Sequence, residues 1–264
     1  MRRRVRARWF KREREEAERV KDRDLFKTVE EVFDSLTIDH VYRLYRKGVI
    51  WELKGVISSG KEARVYWAKS RDGEDLAVKI YLSATAEFRK SIKKYIVGDP
   101  RFEDIPSGNF RRLIYEWARK EYRNLKRMWE AGVRVPRPIA YQANIIVMEF
   151  LGENGYRAPL LAEVGDELGP DYLSSLFEDL VAQMELVVCK AGLIHADLSE
   201  YNIMVWKDKP WIIDVSQAVT HDHPYALEFL ERDVVNVYRY FSERIDLGVS
   251  REELLGKLRS CLRV

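Results

Sequence analysis

His195-Ala196-Asp197-Leu198-Ser199-Glu200-Tyr201-Asn202, followed twelve residues later by Asp214 within Trp211-Ile212-Ile213-Asp214-Val215, is the stretch that decides the fold. An Asp and an Asn five positions apart, then a second Asp ending an apolar, strand-like run, is what phosphoryl transfer from a metal-bound nucleotide requires. In such a set Asp197 accepts or orients the proton of the incoming hydroxyl, while Asn202 and Asp214 hold a divalent cation against the phosphates. Short His-x-Asp strings are common. The rest of the chain therefore has to supply a loop to cover phosphates, a cation to hold them and a pocket for the base.

Those parts occur upstream, in order. From Trp51 the apolar period becomes two: Leu53 to Ile57, Ala63 to Ala68 and Leu76 to Tyr81 read as three consecutive antiparallel strands. The last two are joined by Ser70-Arg71-Asp72-Gly73, a hairpin-turn signal. The first turn, Ser58-Ser59-Gly60-Lys61-Glu62-Ala63, has two readings. With Gly55 it matches most of a P-loop, but Glu62 stands where a Mg²⁺-binding hydroxyl belongs and a strand follows instead of a helix. The better reading is a strand-to-strand loop whose small residues let backbone N–H groups approach phosphates.

Lys79 ends the strand Leu76-Ala77-Val78-Lys79. At an arbitrary position it would be a snorkelling surface residue; here its ammonium is placed to hold phosphates against a helix carboxylate. That helix is expected over Arg111 to Ala131, with Leu113, Trp117, Tyr122, Leu125 and Met128 as its apolar face and Gly132 closing it. Glu121 is the first choice of carboxylate and Glu116 the second, unless both serve surface pairs such as Glu116 with Lys120. Residues 82–110 read as a helical stretch around Phe88 to Tyr95 and then a flexible loop. In that loop Ser107, between Pro106 and Gly108, is the candidate for self-modification.

Ile139 to Gln142 and Ile145 to Phe150 are two more strands, stopping at Gly152. A hinge there would offer backbone groups to a nucleotide base, with Met148, Glu149 and Leu151 as contacts. Beyond it the chain reads as helical, with helices over Tyr172 to Gly192 and Ala226 to Arg244. Ahead of the strands, two short helices are expected over Thr28 to Phe33 and from Thr37, with Thr37 as N-cap and Gly48 as the C′ residue.

A 264-residue chain with 46% hydrophobic residues can bury one large core or two cooperating lobes. Its first 24 residues hold eleven Lys/Arg against six Asp/Glu, so the net +3 resides in this arm and the remainder carries −2. The arm reads as a solvated terminus or a nucleic-acid contact. Cys189 and Cys261 lack metal-like spacing and read as free thiols of a reducing cytosol, not as a disulfide framework. No apolar leader is evident, and no run approaches the roughly 20 apolar residues of a membrane span, so the expectation is a soluble, cytoplasmic protein. His221-Asp222-His223 has no third ligand nearby and reads as loop support rather than a zinc site.

Taken together, the Ser58–Ala63 loop, Ala77-Val78-Lys79, Glu121-Tyr122-Arg123-Asn124-Leu125, Met148-Glu149-Phe150, His195–Asn202 and Ile213-Asp214-Val215-Ser216-Gln217 resemble the RIO family of atypical protein kinases. The resemblance covers about residues 25–245 and points to the first subfamily, in an archaeal form. It implies an α+β, trimmed bilobal kinase-like fold. Its parts would be a basic arm (1–24), a helical extension (25–50), an N-lobe (51–148) with a flexible loop at about 82–110, a hinge (149–152) and a mostly helical C-lobe (153–264).

The resemblance also implies ATP with Mg²⁺ or Mn²⁺. Asp197 would be the catalytic base, Asn202 and Asp214 the metal ligands, and Lys79, held by Glu121, the phosphate anchor. Val56, Ser58, Ser59, Gly60 and Lys61 would cover the nucleotide, with Met204 beneath the adenine. Serine autophosphorylation, a phosphoaspartate on Asp214 and a role on the pre-small-subunit ribosomal particle, contacted through the basic arm, are further implications. Two departures from ordinary kinases narrow the reading: Val-Ser follows Asp214 instead of Phe-Gly, and no Ala-Pro-Glu motif follows. The helices that hold peptide substrates are therefore expected to be absent. The alternatives are a nucleotide-switched pre-ribosome binding factor with little turnover, and a small-molecule phosphotransferase, which would need a longer C-terminal lobe.

Overall fold

The computed structural model describes residues 33–82, 86–96, 98, 99, 102 and 109–262. The basic arm, the helix expected over Thr28 to Phe33 (apart from Phe33 itself) and Ser107 lie outside the described residues.

Helix α1 (Ser35–Arg46) is capped by Asp34, whose carboxylate accepts from the Thr37 N–H at 2.8 Å. Thr37 is therefore not the N-cap. It sits one turn inside, buried, with its hydroxyl accepting from Asn144 Nδ2. An ionised carboxylate is a stronger acceptor for the orphan N–H groups of a first turn than a hydroxyl. Gly48, at φ +71°, takes the left-handed C′ position.

β1 (Glu52–Ser59), β2 (Ala63–Lys69), β3 (Asp75–Tyr81), β4 (Pro138–Gln142) and β5 (Ile145–Glu149) pair antiparallel in the order β1-β2-β3-β5-β4. β3 runs through the centre and is buried from Leu76 to Tyr81, because both sheet faces are covered. On one face Val41 and Leu44 of α1 pack with Leu53, Tyr66, Val78 and Val147. Against the other lies α3 (Phe110–Glu130), preceded by α2 (Ala86–Ile96). Trp117 of α3 is fully buried and receives the rings of Phe88 and Tyr95, which fix α2 against it, and that of Phe102.

The C-terminal half is less uniformly helical than its sequence reads. A two-residue hairpin, β6 (Gly152–Glu153) with β7 (Tyr156–Arg157), follows the hinge. A Cβ on Gly152 would lie 2.1 Å from the Tyr156 carbonyl oxygen, so only glycine allows this closure. After the short α4 (Leu161–Val164) comes α5 (Pro170–Glu185), which ends in a wider π turn at Leu186–Lys190. β8 (Leu193–Ile194) pairs with β11 (Val219–Thr220), and β9 (Ile203–Trp206) with β10 (Lys209–Ile212). α6 (Ala226–Ser242) and α7 (Arg251–Arg259) complete the lobe, α7 opening with a Ser250–Glu253 capping box. Among the described residues no helix is long and apolar enough to cross a membrane.

Cys189 and Cys261 are not free. They form a disulfide that joins the π turn to the end of α7, with Cα atoms 4.9 Å apart. Their separation of 72 residues hid this in the sequence. α7 folds back so that Lys257 pairs with Glu185, which brings the two thiols together. The bond removes the basis for reading a reducing compartment from these cysteines. Closing a loop of that length constrains the unfolded chain by about 4 kcal/mol. Cys189→Ser should lower the urea-unfolding free energy by about 2–4 kcal/mol, and excess dithiothreitol should do the same to the wild type but nothing further to the variant.

Candidate active site

Each functional side chain is placed by a separate element. The loop after β8 carries His195, Asp197 and Asn202, and α6 holds its backbone. Asp233 accepts from the N–H groups of Ala196 and Leu198, both at 2.8 Å; Arg232 donates to the Ala196 carbonyl and Asn236 to that of Leu198. These contacts hold Ala196 at φ +66°, a conformation a non-glycine residue keeps only when its surroundings impose it. His195 is buried with Nε2 at 3.1 Å from the Ile213 carbonyl, and burial pushes its pKa down to about 4. A neutral, enclosed imidazole of this kind supports the loop. His223 has a comparable place, its Nδ1 accepting from the Tyr225 N–H.

The β9–β10 hairpin brings the two cation-binding candidates together. Ile203 pairs with Ile212, and the Ile213 N–H then donates to the Asn202 carbonyl at 3.0 Å, so Asp214 emerges beside Asn202. Asn202 Nδ2 donates to the Asp197 carbonyl at 2.7 Å and lies 3.3 Å from its carboxylate, which leaves its amide oxygen as the atom to offer a cation. Asp214, at φ +54°, opens to the cleft with its side chain 49% exposed.

Lys79 joins the two halves of the molecule. Its ammonium lies 2.8 Å from Glu121 and 3.0 Å from Asp214, and Tyr81 donates to the other oxygen of Glu121. Burial would strip the proton from Lys79, but Asp214 and Glu121 outweigh it and hold its pKa well above the ordinary value. The cleft walls around Asp214 push it up even though its side chain is half exposed, but Lys79 and the hydroxyl of Ser216 pull it further down, so it stays ionised. Asp197 is raised, first by burial and then by the charge of Asp214. Of the two carboxylate choices on α3, Glu121 meets Lys79. Glu116 pairs instead with Arg119, and Lys120, far from being its surface partner, is buried. Lys120 donates to the carbonyls of Ser216 and Ala218 at 2.6 and 2.7 Å, and Asn124 to those of Val215 and Ala218. α3 therefore clamps the segment that follows Asp214.

These groups line a cleft of about 440 Å³ between the sheet and the helical half. Ser58, Gly60 and Lys61 roof it, Met148, Glu149 and Leu151 form its back edge, and Met204 lies on its floor side. Val56 and Ser59 are not among its lining residues. A register shift between Leu53 and Gly55 puts Val56 on the α1 side with Leu53, and Ile57 takes the cleft position. Asp197 stands at the cleft's edge, beyond its lining. Among the described residues no cluster of three or more His, Cys, Asp or Glu could hold a metal alone. Two hard oxygen donors, Asn202 and Asp214, suit a Mg²⁺ ion that takes its remaining ligands from phosphates and water.

A profile of the RIO domain matches residues 64–254. The chain belongs to the RIO family. The serine/threonine-protein kinase RIO1 of Caenorhabditis elegans is 43% identical over 232 residues, which are 88% of this RIO chain and 44% of that protein. The RIO-type serine/threonine-protein kinase Rio1 of Haloferax volcanii is 43% identical over 223 residues, 84% of this chain and 74% of its own length. The Rio2 kinase of Chaetomium thermophilum, solved as an ADP/Mg²⁺-phosphoaspartate complex, superposes with a TM-score of 0.65 at 25% identity, covering 84% of this chain and 65% of that one. The RIO chain thus spans less than half of the nematode relative and about three quarters of the archaeal one.

Asp233, Lys120 and Asn124 support the site in roles that the sequence reading did not assign, although a signal existed. Asp233 falls on the core-facing stripe of α6 with Phe229, Leu230 and Val237, and Lys120 and Asn124 fall on that of α3 with Trp117 and Leu125. A polar residue in phase with an apolar stripe needs a buried partner. Burial raises Asp233 to about 7 against the two N–H bonds that oppose it. Because its folded pKa lies above its unfolded one, the stability linked to its proton is complete below about pH 4 and is lost as pH rises through about 7. The stability gap between wild type and Asp233→Asn, from urea midpoints, should therefore shrink between pH 5 and pH 8; a constant gap would contradict this.

Proposed function

We propose that this RIO chain transfers the γ-phosphoryl group of ATP to a serine or threonine hydroxyl at the Asp197–Asn202–Asp214 site. The observation that carries this reading is the meeting of Lys79, from the sheet, with Glu121 of α3 and Asp214 of the opposite half in one cleft. Lys79 holds the α/β-phosphates, and the Ser58–Lys61 loop covers them. The adenine lies between that loop and Met204, against the Met148–Leu151 edge. The Leu151 carbonyl already accepts from the Ala158 N–H at 2.7 Å, so its own N–H is the group it has to offer. A Mg²⁺ or Mn²⁺ ion on Asn202 and Asp214 supplies charge neutralisation on the phosphates. The acceptor oxygen forms its bond to the γ-phosphorus as the bond to the bridging oxygen breaks; the hydroxyl proton goes to Asp197 and ADP leaves. The raised pKa of Asp197 favours that proton transfer.

An ATPase cycle through the same residues is part of the proposal. Asp214, kept ionised by Lys79, is a competent nucleophile toward the γ-phosphorus: its oxygen would bond to phosphorus as the bond to the bridging oxygen breaks and ADP leaves, and water would then hydrolyse the acyl phosphate to phosphate and the free carboxylate. The small-ribosomal-subunit precursor is proposed as the biological partner on family grounds, with the basic arm of residues 1–24 as its contact.

Nucleotide binding tests the site directly. ATP with Mg²⁺, at about a hundredfold its dissociation constant, should raise unfolding stability by about 2.7 kcal/mol. EDTA should remove most of that gain, and Asp214→Asn should abolish its metal dependence. Stabilisation unaffected by both would remove Asp214 from the metal site.

A further inference from the structure

Only eleven residues separate Asp214 from the start of α6, and Lys120 and Asn124 hold the carbonyls of three of the first four, Val215, Ser216 and Ala218. That segment has no length to build a platform for an acceptor peptide. A groove of about 860 Å³ opens beside it, between α2 and the beginning of α6. It adjoins the nucleotide cleft, with Glu62 lining both. Tyr95, Trp117 and Phe229 form its floor, and Tyr225, 46% exposed, stands on its rim.

Three lysines of α2, Lys90, Lys93 and Lys94, face this groove at helical spacing. All three are exposed, and none forms an ion pair among the described residues. The acids in the groove are Glu62, which accepts from Ser91, and Glu228. Ser91 of the same helix donates to Glu62, which ties this face of α2 to the wall of the nucleotide cleft.

We propose that this groove is the acceptor site, and that it takes a peptide whose serine or threonine reaches Asp197 while acidic residues beside it lie along Lys90, Lys93 and Lys94. The inference rests on the phosphoryl-transfer reading above, and it supplies the substrate contact that the segment after Asp214 lacks. Exposed charges steer and select more than they bind, so preference between peptides is the property to measure.

The experiment uses the full chain and short fluorescent serine peptides flanked by Asp and Glu or by Lys and Arg, read by anisotropy and by transfer from labelled ATP. Wild type should favour the acidic peptide by about tenfold or more, and Lys90→Glu/Lys93→Glu/Lys94→Glu should reverse the order. The triple Lys→Gln variant should abolish the preference, which guards against a fold defect in the charge-reversed protein; Mg²⁺-ATP stabilisation should be unchanged in both. Equal preference in all three proteins would overturn the groove assignment. So would tighter lysine-dependent binding of a short single-stranded RNA than of the acidic peptide. Lysine-dependent peptide binding without any transfer would uphold the groove and defeat the phosphoryl-transfer reading instead.

Discussion

Lys79→Met is expected to lower folding stability by about 3–5 kcal/mol. The substitution keeps the volume of the stem but removes the one cation that faces both Glu121, 4% exposed at its side chain, and Asp214. Glu121 would then be a buried carboxylate with only the Tyr81 hydroxyl as donor among the described residues. Removing one partner of a buried pair costs more than the pair contributes, because the remaining charge stays desolvated. Urea midpoints measure the effect, and the double variant Lys79→Met/Glu121→Gln should recover a substantial part of it. A loss below about 1 kcal/mol would mean that the pair behaves as an exposed one. The same substitution should weaken ATP, since the phosphates lose their anchor.

Asp197→Asn should slow phosphoryl transfer by about 10²–10⁴ in a single turnover, with little change in ATP affinity or stability. The variant keeps the shape of the side chain, and Asn202 still donates to the main-chain carbonyl of residue 197 at 2.7 Å. What disappears is the proposed acceptor for the hydroxyl proton. The separation of effects matters: Asp197 lies at the cleft edge, outside its lining, so its loss should fall on the rate and not on nucleotide binding.

The parts of the site that were legible in sequence are those written in local spacing. Asp197, Asn202 and Asp214 lie within one loop and one hairpin, and β1 to β3 announce themselves by period two and the Asp72-Gly73 turn. Lys79 with Glu121 could be matched because a buried strand-end lysine needs a helix carboxylate. What stayed hidden depends on pairing across the chain. Asp233 serves a loop 35–37 residues upstream, and Lys120 reaches carbonyls about a hundred residues away. The disulfide appears only once α7 has folded back on α5. Two-residue strands such as β6 and β7 are too short to carry a period, and the bulge that turns Val56 away from the cleft shifts a register that alternation alone cannot locate.

The most direct test is a single turnover of γ-labelled ATP with Mg²⁺, with the label followed into protein, into phosphate and into any added serine peptide. Label should pass to a serine or threonine hydroxyl, or leave as phosphate through an alkali- and hydroxylamine-labile aspartyl intermediate, and Asp197→Asn should slow the hydroxyl transfer while Asp214→Asn abolishes both. Transfer at the same rate in wild type and both variants, or none from a wild type that binds Mg²⁺-ATP, would contradict the assignment of this cleft as a phosphoryl-transfer site.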